Sequence, residues 1–115
     1  MNRSDAVRFR HMLDAARETI SFACGRARSE LDSDRMLVLT LMKSIEIIGE
    51  AAGKISDGER ARHAAIPWAD IVGMRNRLIH AYFDVNHDVL WQTVVADLSQ
   101  PVNLLEIALS SEEAT

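Results

Sequence analysis

The stretch Pro67–Val85 reads PWADIVGMRNRLIHAYFDV, and its periodicity decides how the rest of the chain is arranged. Proline fixes φ near the helical value and lacks the N–H that a first helical residue leaves unbonded, so Pro67 is expected as the first residue of a helix. Asp70 in the first turn suits the positive end of the helix dipole. The spacing predicts a helix over Pro67–Tyr82. Advancing about 100° per residue from Ile71 gathers Trp68, Met74, Leu78, Ile79 and Tyr82 into one arc, which faces the interior. Arg75 falls inside that arc, while Gly73, Asn76, Arg77 and His80 lie opposite. A guanidinium keeps its proton, so on an apolar face it must reach a carboxylate, a phosphate or water. The plain structural account is that Arg75 pairs with Glu46 or Glu50 of the preceding helix and that His80 is an ordinary surface histidine.

Working outward, every other segment is also helical. Ser4 is expected to cap a first helix whose seam is Phe9, Leu13, Ala16, Ile20, Ala23 and Ala27, alternating steps of four and three. Ser29–Ser33 reads as a turn. Ser33 or Asp32 then caps a helix over about residues 34–56, with Leu37, Leu41, Ile45, Ile48, Ala52 and Ile55 as its stripe, widened by Val38, Met42 and Ala51. So wide a stripe predicts burial on two sides, against its own bundle and against a second subunit. Gly49 and Gly53 allow close backbone approach, and Glu50 and Lys54 have the spacing of an i,i+4 ion pair. Ser56–Glu59 has capping-box spacing, so residues 57–64 are a short helix or a loop. Asn86 caps a last helix to about Leu109, in which Pro101 should kink or break the ladder. No alternating strand pattern is present. The pattern alone gives an all-α, up-and-down antiparallel four-helix bundle, a single domain over residues 1–115, with a short extra helix.

Composition excludes several classes. The chain has 115 residues, 48% of them hydrophobic and 26% charged, the ordinary balance of one globular domain. The longest apolar run, Met36–Met42, is too short to span a bilayer, and the N-terminus shows no secretory pattern. Cys24 is the sole cysteine. It rules out an internal disulfide, fits a reducing, cytoplasmic setting and is expected to fill a helix face. A net charge of −4 argues against a general nucleic-acid coat protein. The charge is uneven: residues 1–30 hold six arginines against four acids, and residues 83–115 hold six acids and no Lys or Arg. Four scattered histidines and one cysteine offer no metal-ligand spacing, and no glycine-rich phosphate loop is present. No metal and no cofactor are expected.

Arg75-Asn76, three residues, then His80-Ala81-Tyr82 resembles the R-x4-6-H signature of HEPN domains. The flanking patches Ile48–Ala52 (IGEAA), Ile66-Pro67-Trp68, Gly73–Arg77 (GMRNR) and His80–Asp84 (HAYFD) narrow the resemblance to the HepT-like branch, over nearly the whole chain. It implies the toxin half of a toxin–antitoxin pair: a metal-independent endoribonuclease with an RNA substrate, partnered by a minimal nucleotidyltransferase antitoxin. It also implies a homodimer whose motifs meet at the interface. In that setting His80 transfers protons, Arg75 grips and stabilises the phosphate, and Asn76 orients the imidazole or bonds the phosphate. Arg77, Glu46 and Glu50 are supporting residues. On a regular helix Arg75 and His80 point about 140° apart, so one motif does not readily converge on one phosphate, and either an irregular helix end or a twofold-shared cleft is required. The resemblance further implies that Tyr82 is adenylylated by the partner, using ATP; the residues alone read it equally well as a core tyrosine. Two other readings remain beside the ribonuclease: a non-catalytic nucleotide- or substrate-binding module for the nucleotidyltransferase, and a plain scaffold dimer.

Overall fold

The backbone N–H of Asp5 is accepted by the side chain of Asn2 at 2.7 Å, and this bond starts the first helix, α1 (Arg3–Ala23). The cap therefore lies two residues before the expected Ser4, which sits inside the first turn. A computed structural model describes residues 1–79 and 84–113 of the chain. The expected seam of α1 is buried at Phe9, Leu13, Ala16 and Ala23, joined by Met12 and Thr19. Thr19 satisfies its hydroxyl on the Ala15 carbonyl at 2.6 Å. Ala27 falls outside the seam because Gly25 takes a positive φ of 75°, a conformation that ends the helix and that residues with a Cβ rarely adopt. Cys24, expected on a helix face, is instead the exposed residue just past α1.

A 3-10 turn (Arg28–Asp32) leads into α2 (Arg35–Gly53), capped by Asp34, whose side chain accepts the Leu37 N–H at 3.0 Å. The whole predicted stripe of α2 is buried, and Ile55 just beyond it as well. Its width has a cause within the chain: α2 packs against α1 on one side and against α4 on the other. A Cβ placed on Gly49 would lie 3.4 Å from the Ile71 carbonyl oxygen, so the close approach expected there is real. One placed on Gly53 would meet nothing within 4 Å. Along the polar edge the ion pair is Lys43–Glu46 at 3.8 Å, not the Glu50–Lys54 pair the spacing allows.

The short helix α3 (Asp57–Arg62) forms, with Ser56 as cap. Asp5 holds this corner to α1: its carboxylate accepts the Ser56 N–H at 3.0 Å and the Ser56 hydroxyl at 2.6 Å. Next, α4 (Trp68–Leu78) begins one residue later than expected, with Pro67 as cap. Trp68 anchors it by donating its indole N–H toward the Arg60 and His63 carbonyls, both at 3.1 Å, and by packing edge-on to Phe9.

The helix is also shorter than predicted. Ile79 is extended (φ −109°, ψ 126°) and forms an isolated antiparallel bridge with Val85, while the Asn86 N–H bonds the Leu78 carbonyl at 2.8 Å. A helix-terminal carbonyl is thus taken up by a residue well beyond the helix, something periodicity cannot foresee. Asn86 then caps α5 (His87–Gln92), which runs through a π-helical turn (Thr93–Asp97) into α6 (Ser99–Glu113). The irregularity expected from Pro101 is this π turn: the ladder resets ahead of the proline, which then sits in the first turn of α6, where its missing N–H costs nothing. With α1 packed on α2 and α6, and α4 on α2 and α5, the fold is the expected all-α bundle.

Candidate active site

The Arg75 side chain is 38% exposed on α4, next to the buried Met74. Its Nε lies 3.7 Å from Oε2 of Glu46 on α2, longer than a hydrogen bond. Glu46 also faces Lys43 at 3.8 Å, so one carboxylate serves two cations loosely. The partner that the apolar-arc argument required for Arg75 is thus Glu46 rather than Glu50.

Arg75 and Glu46 line a cleft of about 510 Å³ between α2 and the chain that follows α4. Its floor is Val38, Leu39, Met42, Ile79 and Val85, and its rim also carries Arg35, Lys43, Asp84 and His87. Ile79 and Asp84, the described residues on either side of the motif's His80–Phe83, both line it. His80 and Tyr82 themselves lie outside the described residues, so the roles expected of them are not placed here. α4 ends at Leu78 with Ile79 extended, inside the span predicted to be helical through Tyr82.

Asn76 is exposed and shares a shallow depression with Glu46, Glu50, Val72 and Arg75. Arg77 is directed elsewhere. It lines a separate cavity of about 360 Å³ with Asp70 and Asp97, between α4 and the π turn. The structure therefore brings together Arg75, Asn76, Glu46 and Glu50, and separates Arg77 from them.

Sequence reading missed the cleft's rim. His87 was one of four scattered histidines; it opens α5, and its Nδ1 lies 3.0 Å from Oδ1 of Asp32. Arg28 bonds the same carboxylate at 2.7 Å and Asp88 at 2.6 Å. The His87 ring and then the Arg28 guanidinium hold the Asp32 carboxyl below its ordinary range. Asp32 and His87 stand 55 residues apart in the chain, and a contact at that separation has no signature in a linear pattern.

A second cluster lies on elements that do not line the cleft. Glu59, His63 and Glu112 bring ligand-type atoms within 4.8 Å of one another. Arg62 bonds one oxygen of Glu59 at 3.1 Å and the amine of Met1 bonds Glu112 at 3.1 Å, while Glu59 Oε2 and His63 Nε2, 3.5 Å apart, have no hydrogen-bond partner among the described residues.

Taken together, these features describe a small helical bundle that presents an arginine in a nucleotide-sized, apolar-floored cleft. The family description "Ribonuclease HepT-like" matches residues 12–107. The chain is 31% identical over 103 residues to "Putative RNase TTE0752" of Caldanaerobacter subterraneus subsp. tengcongensis, covering 90% of this chain and 92% of that protein. It is 32% identical over 108 residues to "Putative RNase MJ1380" of Methanocaldococcus jannaschii, covering 93% and 99%. A "Probable ribonuclease HepT" of Thermococcus cleftensis is 42% identical over 65 residues, 56% of this chain and 59% of that one. No solved structure matches. The chain belongs to the HepT-like ribonuclease family, and is a ribonuclease by class.

Proposed function

We propose that this chain is the toxin of a toxin–antitoxin pair: a cytoplasmic, metal-independent endoribonuclease that acts as a homodimer and is silenced by adenylylation of Tyr82 by a minimal nucleotidyltransferase antitoxin. The observation that carries the reading is Arg75, partly exposed in a cleft of nucleotide size and, among the described residues, held by one long contact to Glu46. A phosphate entering the cleft would replace that contact with charge-assisted, bidentate hydrogen bonds.

Cleavage by transesterification forms a bond from the ribose 2′-oxygen to phosphorus and breaks the bond from phosphorus to the 5′-oxygen. The proton of the 2′-hydroxyl passes to a base, and an acid returns one to the leaving 5′-oxygen. Arg75 neutralises the charge that builds on the phosphoryl oxygens, and Asn76 hydrogen-bonds beside it. His80 is the motif's proton carrier. Each copy supplies one motif histidine and the reaction needs two proton-transfer groups, which is the chemical reason for a shared cleft. The outer faces of α2 and α4 support a second copy: Met36, Ile47 and Val72 are 79, 40 and 43% exposed. AMP on Tyr82 would add a nucleotide and a negative charge close to Arg75 in the chain, filling the site it blocks.

Purified protein incubated with RNA in EDTA, beside Arg75→Ala and His80→Ala, tests the activity. Cleavage that both variants abolish is expected; cleavage that survives both would leave no role for the motif. The Arg75–Glu46 contact favours one other reading, a non-catalytic module that holds a nucleotide for the nucleotidyltransferase, and absence of cleavage with retained nucleotide binding would select it.

A further inference from the structure

We propose that the α2 side of the cleft, through Arg35 and Lys43, is a second phosphate subsite, which holds the backbone of a single-stranded RNA beyond the scissile linkage while the base between lies on the apolar floor. The inference rests on the reading of Arg75 as the grip on the scissile phosphate.

The residues of α2 that line the cleft are Arg35, Val38, Leu39, Met42, Lys43 and Glu46. They follow one another in steps of three, one, three, one and three, a single stripe along the helix. At about 1.5 Å per residue the stripe is about 16 Å long, with Arg35 at its far end and Glu46 and Arg75 at the near one. A groove of that length accommodates more than one nucleotide.

Charge along the stripe is asymmetric. Lys43 shares Glu46 with Arg75. Arg35 makes no ion pair and no side-chain hydrogen bond among the described residues. The carboxylates next to it in sequence are both engaged elsewhere: Asp34 accepts from Arg26 at 2.8 Å and caps α2, and Asp32 is held by Arg28 and His87. Among the described residues Arg35 is therefore an unpaired cation lining a cleft that also carries the Asp84 carboxylate and whose other end holds the proposed catalytic arginine. Between the two, Val38, Leu39, Met42, Ile79 and Val85 offer an apolar surface and no fixed donor or acceptor, which suits the face of any base and reads none. Such a floor can be reached only by an unstacked base, so the subsite selects single strands over duplex.

The test uses the full-length protein and an RNA octamer, with Arg35→Ala, Lys43→Ala and the double variant. Arg17→Ala is the control, an exposed arginine paired with Glu106 away from the cleft. For octamer cleavage in EDTA, KM is expected to rise about tenfold in the double variant while kcat stays within about twofold, and the loss should shrink as the substrate is shortened to a dinucleotide. Binding of a 2′-O-methyl octamer, which cannot be cleaved, should weaken likewise, and its dependence on salt should flatten by about 0.7 in log–log slope for each phosphate no longer gripped. A duplex of the same sequence should bind weakly to wild type and variants alike. The 2′-O-methyl measurement reads the subsite even if no RNA is cut, so a failure of the ribonuclease reading is distinguishable from a failure of this one. Unchanged octamer binding and KM in the double variant, or an equal loss in Arg17→Ala, would overturn the proposal.

Discussion

The Nε of Arg75 and the Oε2 of Glu46 stand 3.7 Å apart, on helices that otherwise meet through the apolar contacts of α2 and α4. Both side chains are about one-third exposed, so the contact contributes about 0–1 kcal/mol to folding. On the proposed reading its effect falls on RNA: the Glu46 carboxylate would repel an incoming phosphate and also restrict the rotamers of Arg75. Glu46→Gln is expected to leave the melting temperature nearly unchanged, to lower KM several-fold and to lower kcat. Steady-state cleavage of an oligoribonucleotide checks this, and a raised KM would show that Glu46 does not oppose the phosphate.

The glycines of this chain have unlike reasons for being there. Gly53 ends α2 where a Cβ would meet nothing within 4 Å, so Gly53→Ala should stabilise by about 0.5–1 kcal/mol through helix propensity. Gly25 has φ 75°, and Gly25→Ala should cost about 1 kcal/mol. Denaturant unfolding of the two variants should give shifts of opposite sign.

Asp5 is 3% exposed and accepts two hydrogen bonds from Ser56 and one from Asn2. The bonds from the Ser56 hydroxyl and then its N–H hold the carboxyl below the ordinary carboxylate range, against the opposing effect of burial. A depressed folded-state pKa means stability that is fully present above the unfolded value and is lost as pH falls through the folded one. Melting temperature should therefore decline below the ordinary carboxylate range in the wild type. Asp5→Ala, which orphans the Ser56 N–H, should cost about 2 kcal/mol at neutral pH and show a shallower acid decline.

The bundle was legible because burial in a helix repeats: each of the nine stripe positions predicted on and just after α2 is buried, the Ser56 and Asn86 caps stand where expected, and those of α1, α2 and α4 shift by one or two residues. The helix over the motif was not. Its periodicity runs on through Tyr82, yet the chain leaves the helix at Ile79 because Val85 and Asn86 return to bond it, and such a return depends on the completed fold. The candidate site was legible in part for the same reason. Arg75 and Glu46 stood out as a charge on an apolar arc and a carboxylate on the neighbouring helix. Arg35 and His87 did not, since nothing in a linear pattern distinguishes an unpaired surface arginine from a paired one. Arg77, expected as a supporting residue, lay opposite Arg75 on the predicted helix, and two residues at about 100° each do turn it into a separate cavity.

If two copies share one cleft, the exposed apolar residues on the outer faces of α2 and α4 must be covered in the active form. Ile47 and Val72 are 40 and 43% exposed in the single chain, so replacing them does not open the core. The double variant Ile47→Asp, Val72→Asp should retain its helical circular dichroism and melt within a few degrees of wild type. Facing another copy, it would bury like charges and fail to associate. Equilibrium sedimentation should then report a monomer where the wild type is a dimer, and cleavage of RNA should fall by at least about a hundredfold although Arg75 and His80 are intact. Mixing this variant with Arg75→Ala should not restore activity, because neither face of the variant can dock. A monomer that cleaves RNA at the wild-type rate would place the whole of the chemistry within one chain and remove the reason for a dimer.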